Sequence, residues 1–397
     1  MDDRFEQARA AFLAGVQQHE AGRLADAEQS FLQAQALVPG RASVAINLAA
    51  TRLALGKPGP VPDDLAPLLA AEPEHPEALA LLARALTALD QPARALPVLE
   101  RLLQQRPADA ELQHRRGLLL GRLDRADEAL AAFEQALALD ATHAAAWTQR
   151  GSLLREAGRL AEARHCFEQA LAHGGEPTLN RWFLAAVTGE SAAGQAPAAY
   201  VQALFDGYAD GFDAHLLQGL GYSAHQGVVD LLPPGHVYAH ALDLGCGTGL
   251  CAPPLQGRVQ RLTGVDLSPR MLAQARARGL YRVLHEAEAV QWLQQTPERF
   301  DLALAADVFI YIGDLAPVFA GLSRVLQPGA HLVFSVEQAD HPEAVQLGAQ
   351  LRYRHGEAAL RRLAAAAGFT VEAVLPTVLR HEQQRPISGL LFRLLMP

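Results

Sequence analysis

The segment Ala241-Leu-Asp-Leu-Gly-Cys-Gly-Thr-Gly-Leu250 concentrates residue types that can hold a small polar ligand. Ala241–Leu244 reads as the end of a buried strand, and glycines follow at 245, 247 and 249. A backbone without Cβ atoms turns tightly there and lets a ligand lie against its amides. A helix expected to open after the loop turns further N–H groups toward the same ligand. Asp243, just before the first glycine, offers a carboxylate to a cationic or amide donor. Arg261–Asp266 reads as a second strand, and its terminal acid, 17 residues beyond Gly249, is placed to hold a ribose diol.

A dinucleotide site also combines a glycine turn with a downstream acid. Its third glycine falls three positions after the second, so that helix and strand pack closely, and its loop wraps a pyrophosphate. Here the third glycine is two positions on, and Leu250 takes the dinucleotide position. The spacing favours a nucleoside without a pyrophosphate over NAD. The segment resembles the cofactor site of class I S-adenosylmethionine-dependent methyltransferases, which implies S-adenosylmethionine as the cofactor.

Strand-like and helix-like segments alternate around this loop, the pattern of a parallel sheet covered by helices. The candidate strands are His240–Leu244, Arg261–Asp266, Arg282–His285, Asp301–Ala305, Ala330–Val336, Thr370–Leu375 and Gly389–Leu395. Seven strands is the number the resemblance implies for a Rossmann-like α/β methyltransferase domain over 198–397. Ser268-Pro269 reads as a cap and first-turn proline. Leu204-Phe-Asp-Gly-Tyr-Ala-Asp-Gly-Phe-Asp213, Gly221-Tyr222, Ala305-Ala-Asp-Val-Phe-Ile-Tyr-Ile-Gly-Asp314 and Arg352-Tyr-Arg-His355 are further local motifs.

Ahead of this domain, Phe31, Leu65, Leu99, Phe133 and Phe167 recur every 34 residues. Gly15, Ala49, Ala83, Gly117 and Gly151 keep the same period, as do Ala27, Val61, Ala95, Ala129 and Ala163, and Ala34, Leu68, Leu102, Ala136 and Ala170. Small positions let paired helices approach closely, and large ones fill the seam. This resembles the tetratricopeptide (TPR) repeat in five units over 8–177, an all-α superhelix rather than an ordinary bundle, which carries no such period. Lys57-Pro-Gly-Pro-Val-Pro62 should lengthen the turn inside the second unit. Thr178–Val187 reads as a terminal helix that closes the repeats and buries Trp182 and Phe183. The expected division is 1–188 for the repeats, 189–197 for a Gly/Ala/Ser-rich linker, and 198–397 for the catalytic domain. With these repeats, the chain resembles bacterial TPR-containing methyltransferases along nearly its whole length.

That resemblance implies roles by position. Asp243 and the amides of Gly245, Cys246, Gly247, Thr248 and Gly249 hold the methionine part, and Asp266 holds the ribose hydroxyls. Leu267 and Met271 flank the adenine. Glu288, with Glu286 as the alternative, meets the adenine amine or is a solvated helix-start acid. Tyr208 turns its ring face to the sulfonium or packs as an amphipathic-helix tyrosine. Asp307 and Tyr311 sit where the acceptor enters, and Asp307 either accepts a proton or fixes the loop. His355 is a base, a pocket wall or a structural histidine; Arg354 and Gly356 replace the small residue and serine expected around it.

The Asn/Asp-Pro-Pro-aromatic motif for planar amino groups is absent: Ala306-Asp307-Val308-Phe309 stands there. Neither Cys246 nor Cys251 is placed to attack a pyrimidine ring. Net charge is −9, with 15 arginines against 18 acids in 198–397, and neither half carries the basic excess of a nucleic-acid binder. Three cysteines without Cys-x-x-Cys spacing suggest a reducing cytoplasm and no zinc. The start Met-Asp-Asp-Arg lacks the pattern of a signal peptide, and no long uncharged apolar run marks a membrane span. The leading expectation is a methyltransferase acting on an unidentified small or carrier-bound acceptor, with the TPR groove binding a protein or peptide partner. Phe12 and Val16 stand where a carboxylate-clamping TPR carries Lys and Asn, so the sequence does not identify that partner. The alternatives are a protein methyltransferase whose groove binds the substrate and a non-catalytic scaffold that senses the methyl donor.

Overall fold

The computed structural model describes residues 2–189, 194–382 and 384–397. Contacts divide the chain into two units, Met1–Ala157 with His165–Gly175, and Gly158–Arg164 with Glu176–Pro397. Positions 190–193 of the expected linker lie outside the described residues.

The repeat region consists of helices Asp2–Glu20 (α1), Leu24–Leu37 (α2), Ala42–Ala54 (α3), Val61–Ala71 (α4), Pro76–Ala88 (α5), Pro92–Gln105 (α6), Ala110–Arg122 (α7), Ala126–Leu139 (α8), Ala144–Glu156 (α9) and Leu160–Ala172 (α10). They form five helix–turn–helix pairs. The periodic large residues are the seam: Phe31, Leu65, Leu99, Phe133 and Phe167 are all at most 2% exposed. Their partners 16 residues earlier compensate in volume. A Cβ on Gly15, Gly117 or Gly151 would stand 2.7, 2.5 or 2.7 Å from the ring of Phe31, Phe133 or Phe167. Where the large residue is the smaller leucine, at 65 and 99, alanine fits at 49 and 83. The α3–α4 turn spans residues 55–60, against three-residue turns such as 21–23 and 89–91 in the other pairs. Lys57 in that turn and Arg52 both pair with buried Glu28, at 2.6 and 2.9 Å, and Arg52 also reaches Asp64 at 2.5 Å.

The second unit opens with Pro177–Thr188 (α11), so contacts group with it the helix expected to close the repeats. Trp182 and Phe183 are buried and meet Tyr200 at ring separations of 5.0 and 5.8 Å. The sheet comprises Ala241–Leu244 (β1), Leu262–Asp266 (β2), Val283–Glu286 (β3), Phe300–Ala305 (β4), Leu326–Gln338 (β5), Val345–Leu347 (β6), Tyr353–His355 (β7), Thr370–Glu382 (β8) and Arg385–Leu395 (β9). Strands β3, β2, β1, β4 and β5 lie side by side and parallel, and β9 runs antiparallel between β5 and β8. All seven expected strands are present. The additional hairpin β6–β7 joins the end of β5; strands of three residues are too short to show a period. One face carries Leu242, Ala303 and Phe334 into a core with Phe319 and Leu360. The other carries Leu302, Leu304 and Val333 against Val228 and Leu255. Covering both faces explains the continuous apolar strands. Because β1 lies between β2 and β4, connections diverge at its carboxyl end, where an open α/β sheet has its crevice.

One expected element is missing. No α-helix follows the glycine loop; only the 3-10 turn Pro253–Leu255 does. Pro253 and Pro254 lack N–H groups and clash with a preceding turn, so a regular helix cannot propagate through them.

Candidate active site

A cavity of about 330 Å³ opens in that crevice, within the second unit. Eleven of the residues singled out from the sequence line it: Tyr208, Asp243, Gly245, Cys246, Gly247, Thr248, Asp266, Leu267, Glu288, Asp307 and Tyr311.

The loop's shape depends on its glycines. Gly245 and Gly249 have φ of +66° and +86°, values that L side chains rarely adopt. A Cβ on Gly245 would run into Val308, and one on Gly249 would meet Tyr281 at 2.9 Å. Gly249 therefore packs away from the cavity. At Gly247 a Cβ would meet nothing within 4 Å, so the backbone there is open. Asp266, ending β2, accepts hydrogen bonds from the amides of Gly247 (2.8 Å) and Ser268 (2.9 Å). Burial raises its pKa while these amide bonds lower it. Asp243 is 1% exposed and accepts from Tyr281 Oη at 2.6 Å. Burial pushes its carboxyl up to about 7, and the Tyr281 bond opposes that shift.

Helix Ala198–Tyr208 and the turns after it cover the cavity, and three acids pin them. Asp206 accepts from Ser268 Oγ at 2.5 Å, Asp210 pairs with Arg270 at 2.5 Å, and Asp213 accepts from Thr248 Oγ1 at 2.5 Å and pairs with Arg278. Their spacing, i, i+4 and i+7, is the signal of one helical face. It lay inside a motif that sequence reasoning used only as a resemblance. Tyr208 is half exposed and packs edge-on against His215 at 5.6 Å. Glu288 accepts from the amides of Val290 (3.0 Å) and Gln291 (2.8 Å), capping helix Ala289–Gln295, and also lines the cavity. Glu286 is exposed and lies outside the cavity lining.

On the neighbouring strand end, Asp307 follows β4 with φ +58°, beside Val308, which packs on Gly245. Its amide donates to Ser335 Oγ at 2.8 Å, and its Oδ2 accepts from Arg380 Nη1 at 2.9 Å. Its Oδ1 is buried and has no partner among the described residues. Burial raises its pKa, and the Arg380 charge opposes that shift. Arg380, 2% exposed, also pairs with Glu337 and Glu382, and Arg352 joins the same acids. Tyr311 crosses Phe205 edge-on at 5.5 Å, and burial pushes its hydroxyl to about 12. Sequence reasoning missed Arg380 because it lies 73 residues from Asp307, on the strand β8.

Two further expectations are corrected. Met271 is fully buried in the first turn of helix Pro269–Ala277 and does not line the cavity. His355 is 1% exposed on β7, also outside the lining. Its Nε2 donates to the Phe309 carbonyl at 3.1 Å, and burial lowers its pKa against the opposing effect of that bond. It supports the Phe309–Tyr311 turn from behind. Gly356 beside it has no room for a serine, because a Cβ there would overlap the Pro342 carbonyl.

A methyltransferase domain model matches residues 242–334, and tetratricopeptide repeat models match 63–118, 110–143 and 144–175. Nodulation protein S of Rhizobium tropici is 38% identical over 101 residues, 24% of this chain and 42% of that protein. The ubiquinone biosynthesis O-methyltransferase of Alkalilimnicola ehrlichii is 33% identical over 98 residues, 24% of this chain and 40% of that protein. The chain spans less than half the length of either relative. Among solved structures, the N-methyltransferase NodS of Bradyrhizobium japonicum in complex with S-adenosyl-L-homocysteine is 22% identical, with a TM-score of 0.36 over 44% of this chain and 85% of that one. No helix among the described residues is long and apolar enough to cross a membrane. The chain thus carries a region that matches methyltransferase domains over 242–334 and regions that match tetratricopeptide repeats over 63–175.

Proposed function

We propose that the protein is a methyltransferase that uses S-adenosylmethionine, acts on a small or carrier-bound acceptor, and recruits a protein partner through its repeats. The observation that carries this reading is the pairing across one cavity of an open glycine loop beside Asp266 with a buried, half-satisfied carboxylate at Asp307. The donor set fits the cofactor: bare backbone at Gly247, carboxylates at Asp243 near the end of β1 and Asp266 at the end of β2, and an apolar wall at Leu267. When bound, the cofactor supplies an electrophilic methyl group on a sulfonium.

The rest of the work falls to the chain's own groups. Asp243 accepts a hydrogen bond from the cofactor's ammonium, and Asp266 exchanges its amide bonds for the ribose hydroxyls. Glu288 has lone pairs left, beyond its two capping bonds, for the adenine amine. The pinned helix Ala198–Tyr208 excludes water and brings Tyr208 to the cavity edge. Asp307 Oδ1 accepts a hydrogen bond from an O–H or N–H of the acceptor, orienting it and taking its proton, while Arg380 keeps Oδ2 in place. Alignment of nucleophile, methyl and sulfur supplies most of the acceleration. An oxygen acceptor is in keeping with the similarity to an O-methyltransferase. We place the protein in the cytoplasm, a reading supported by its three buried cysteines, none of them in a disulfide among the described residues.

The test is calorimetric titration with S-adenosylhomocysteine, beside Asp266→Ala and an NAD titration. Micromolar binding lost in the variant supports the reading. Folded protein that binds NAD instead, or binds neither ligand, refutes it.

A further inference from the structure

The repeat region contains a cluster that methyl transfer does not use. Glu111 and His114 lie one turn apart on α7, and His143 precedes α9. His143 Nε2 stands 3.3 Å and His114 Nδ1 3.6 Å from the same carboxylate oxygen, Glu111 Oε2. One ligand atom from each residue falls within 4.8 Å of the others. Ligands bonded to tetrahedral zinc at about 2.0–2.1 Å are separated by roughly 3.3–3.5 Å, so only small side-chain shifts separate this arrangement from a coordination shell.

His114 packs on Phe133 at a ring separation of 5.8 Å, as Phe12 packs on Phe31 in the first repeat, but it is the one histidine at this position of the repeat. The positions 34 and 68 residues earlier and 34 later hold Ala80, Ile46 and Thr148. His114 is 8% exposed, and neither ring nitrogen makes a hydrogen bond among the described residues. Buried polar atoms without partners are rare in folded chains, and a metal at Nδ1, 3.6 Å from Glu111 Oε2, would give one of the two ring nitrogens a partner. The carboxylate is already aimed: Arg115 Nε donates to Glu111 Oε1 at 2.6 Å, leaving Oε2 to the two imidazoles. Such outer contacts orient ligands in metal sites.

We infer that Glu111, His114 and His143 form a three-ligand site for Zn²⁺ or a divalent ion of its class, with an open position toward solvent. Two imidazole nitrogens and one carboxylate oxygen suit zinc, cobalt or nickel, whereas calcium and magnesium favour all-oxygen shells. No cysteine takes part, so the absence of Cys-x-x-Cys spacing does not bear on it. Loading has one local cost. His143 Nδ1 now accepts from the Ala146 amide at 3.3 Å. When the metal takes Nε2, the ring proton moves to Nδ1 and that long cap bond is given up; no net proton is released by this residue. The concave surface beside the site, lined by Asp109, Asp140 and Arg106, leaves room for water or a partner's side chain as the fourth ligand.

The experiment titrates the metal-stripped full chain with Co²⁺, followed by its visible ligand-field absorption, and then with Zn²⁺ as competitor. Two substitutions keep the fold. His114→Ala restores the residue of the preceding repeat, and His143→Asn retains an N-cap acceptor. Wild-type protein should take up one equivalent at micromolar Co²⁺, displaced by Zn²⁺, and each variant should bind at least about 100-fold more weakly. His381→Ala, at an exposed position in the second unit, should bind as wild type. Absence of Co²⁺ uptake below millimolar concentration, or equal uptake by wild type and both variants, overturns the site.

Discussion

Asp307→Asn separates chemistry from binding. In the wild type, Oδ2 is held by Arg380 and Oδ1 is buried with no partner among the described residues, on a side chain that lines the cavity. Asparagine tolerates the left-handed φ of +58° at this position. Its single oxygen will take the Arg380 bond, so its amide nitrogen will occupy the place of Oδ1. The cavity then presents a donor where it presented an acceptor, with almost no change of shape. Arg380 retains Glu337 and Glu382, so no buried charge is stranded. Loss of a positioned proton acceptor lowers turnover by about 10²–10⁴-fold, roughly 3–5 kcal/mol in the barrier. The assigned role places Asp307 on the acceptor rather than the cofactor, so S-adenosylhomocysteine affinity should change by less than about threefold. The assay is methyl transfer at saturating acceptor, paired with calorimetry of the product cofactor. Equal turnover by both proteins, or a loss of cofactor affinity as large as the loss of turnover, would refute the assigned role.

Three further outcomes are expected. Asp243 carries a folded-state pKa of about 7, above its unfolded value of about 3.9. The folded protein therefore binds the extra proton between these values, and cofactor-free stability falls as pH rises through that window. Affinity for S-adenosylhomocysteine, whose ammonium pairs with the carboxylate, should rise by up to about tenfold per unit as pH approaches 7 from below, then level off. Asp243→Asn should flatten both profiles, and calorimetry between about pH 5.5 and 8.5 checks this. In the repeats, Gly117→Ala drives a Cβ to 2.5 Å from the Phe133 ring. Overpacking of about 1–3 kcal/mol outweighs about 1 kcal/mol of helix propensity. Adding Phe133→Leu recreates the Ala83/Leu99 pairing, so urea melts of the double variant should show a favourable coupling of at least about 1 kcal/mol; strict additivity contradicts the volume rule. Gly245→Ala combines a φ of +66° with a collision against Val308, and should abolish S-adenosylhomocysteine binding in folded protein. Val308→Ala should restore part of that binding.

Some of this site was legible because it depends on local constraints. Gly245, Gly247 and Gly249 announce a backbone bend close to a ligand, and apolar runs on either side announce the strands that carry it. Asp266 and Asp307 could be singled out because both stand at strand ends, where sequence order and spatial order coincide in a parallel sheet. The glycine loop's expected helix failed because Pro253 and Pro254 compete with it directly. The places of Met271 and His355, outside the cavity lining, were not legible for a different reason. Helical and strand periodicity say that one face is buried, but not whether burial is in the core or beside the cavity.

By itself, the sequence determined the 34-residue helical repeat, the order of the seven main strands and the glycine loop, because each is a periodic or short-range pattern. It also determined the pairing of glycine with phenylalanine and alanine with leucine along the repeat seam. Tertiary structure alone decided the partners: Arg380 on Asp307, Tyr281 on Asp243, Asp213 on Thr248, and His143 beside His114. These contacts join residues from 29 to 73 positions apart. No local pattern specifies them, since strand order and register decide which distant charges are buried together, and low dielectric then decides how strongly they act on one another.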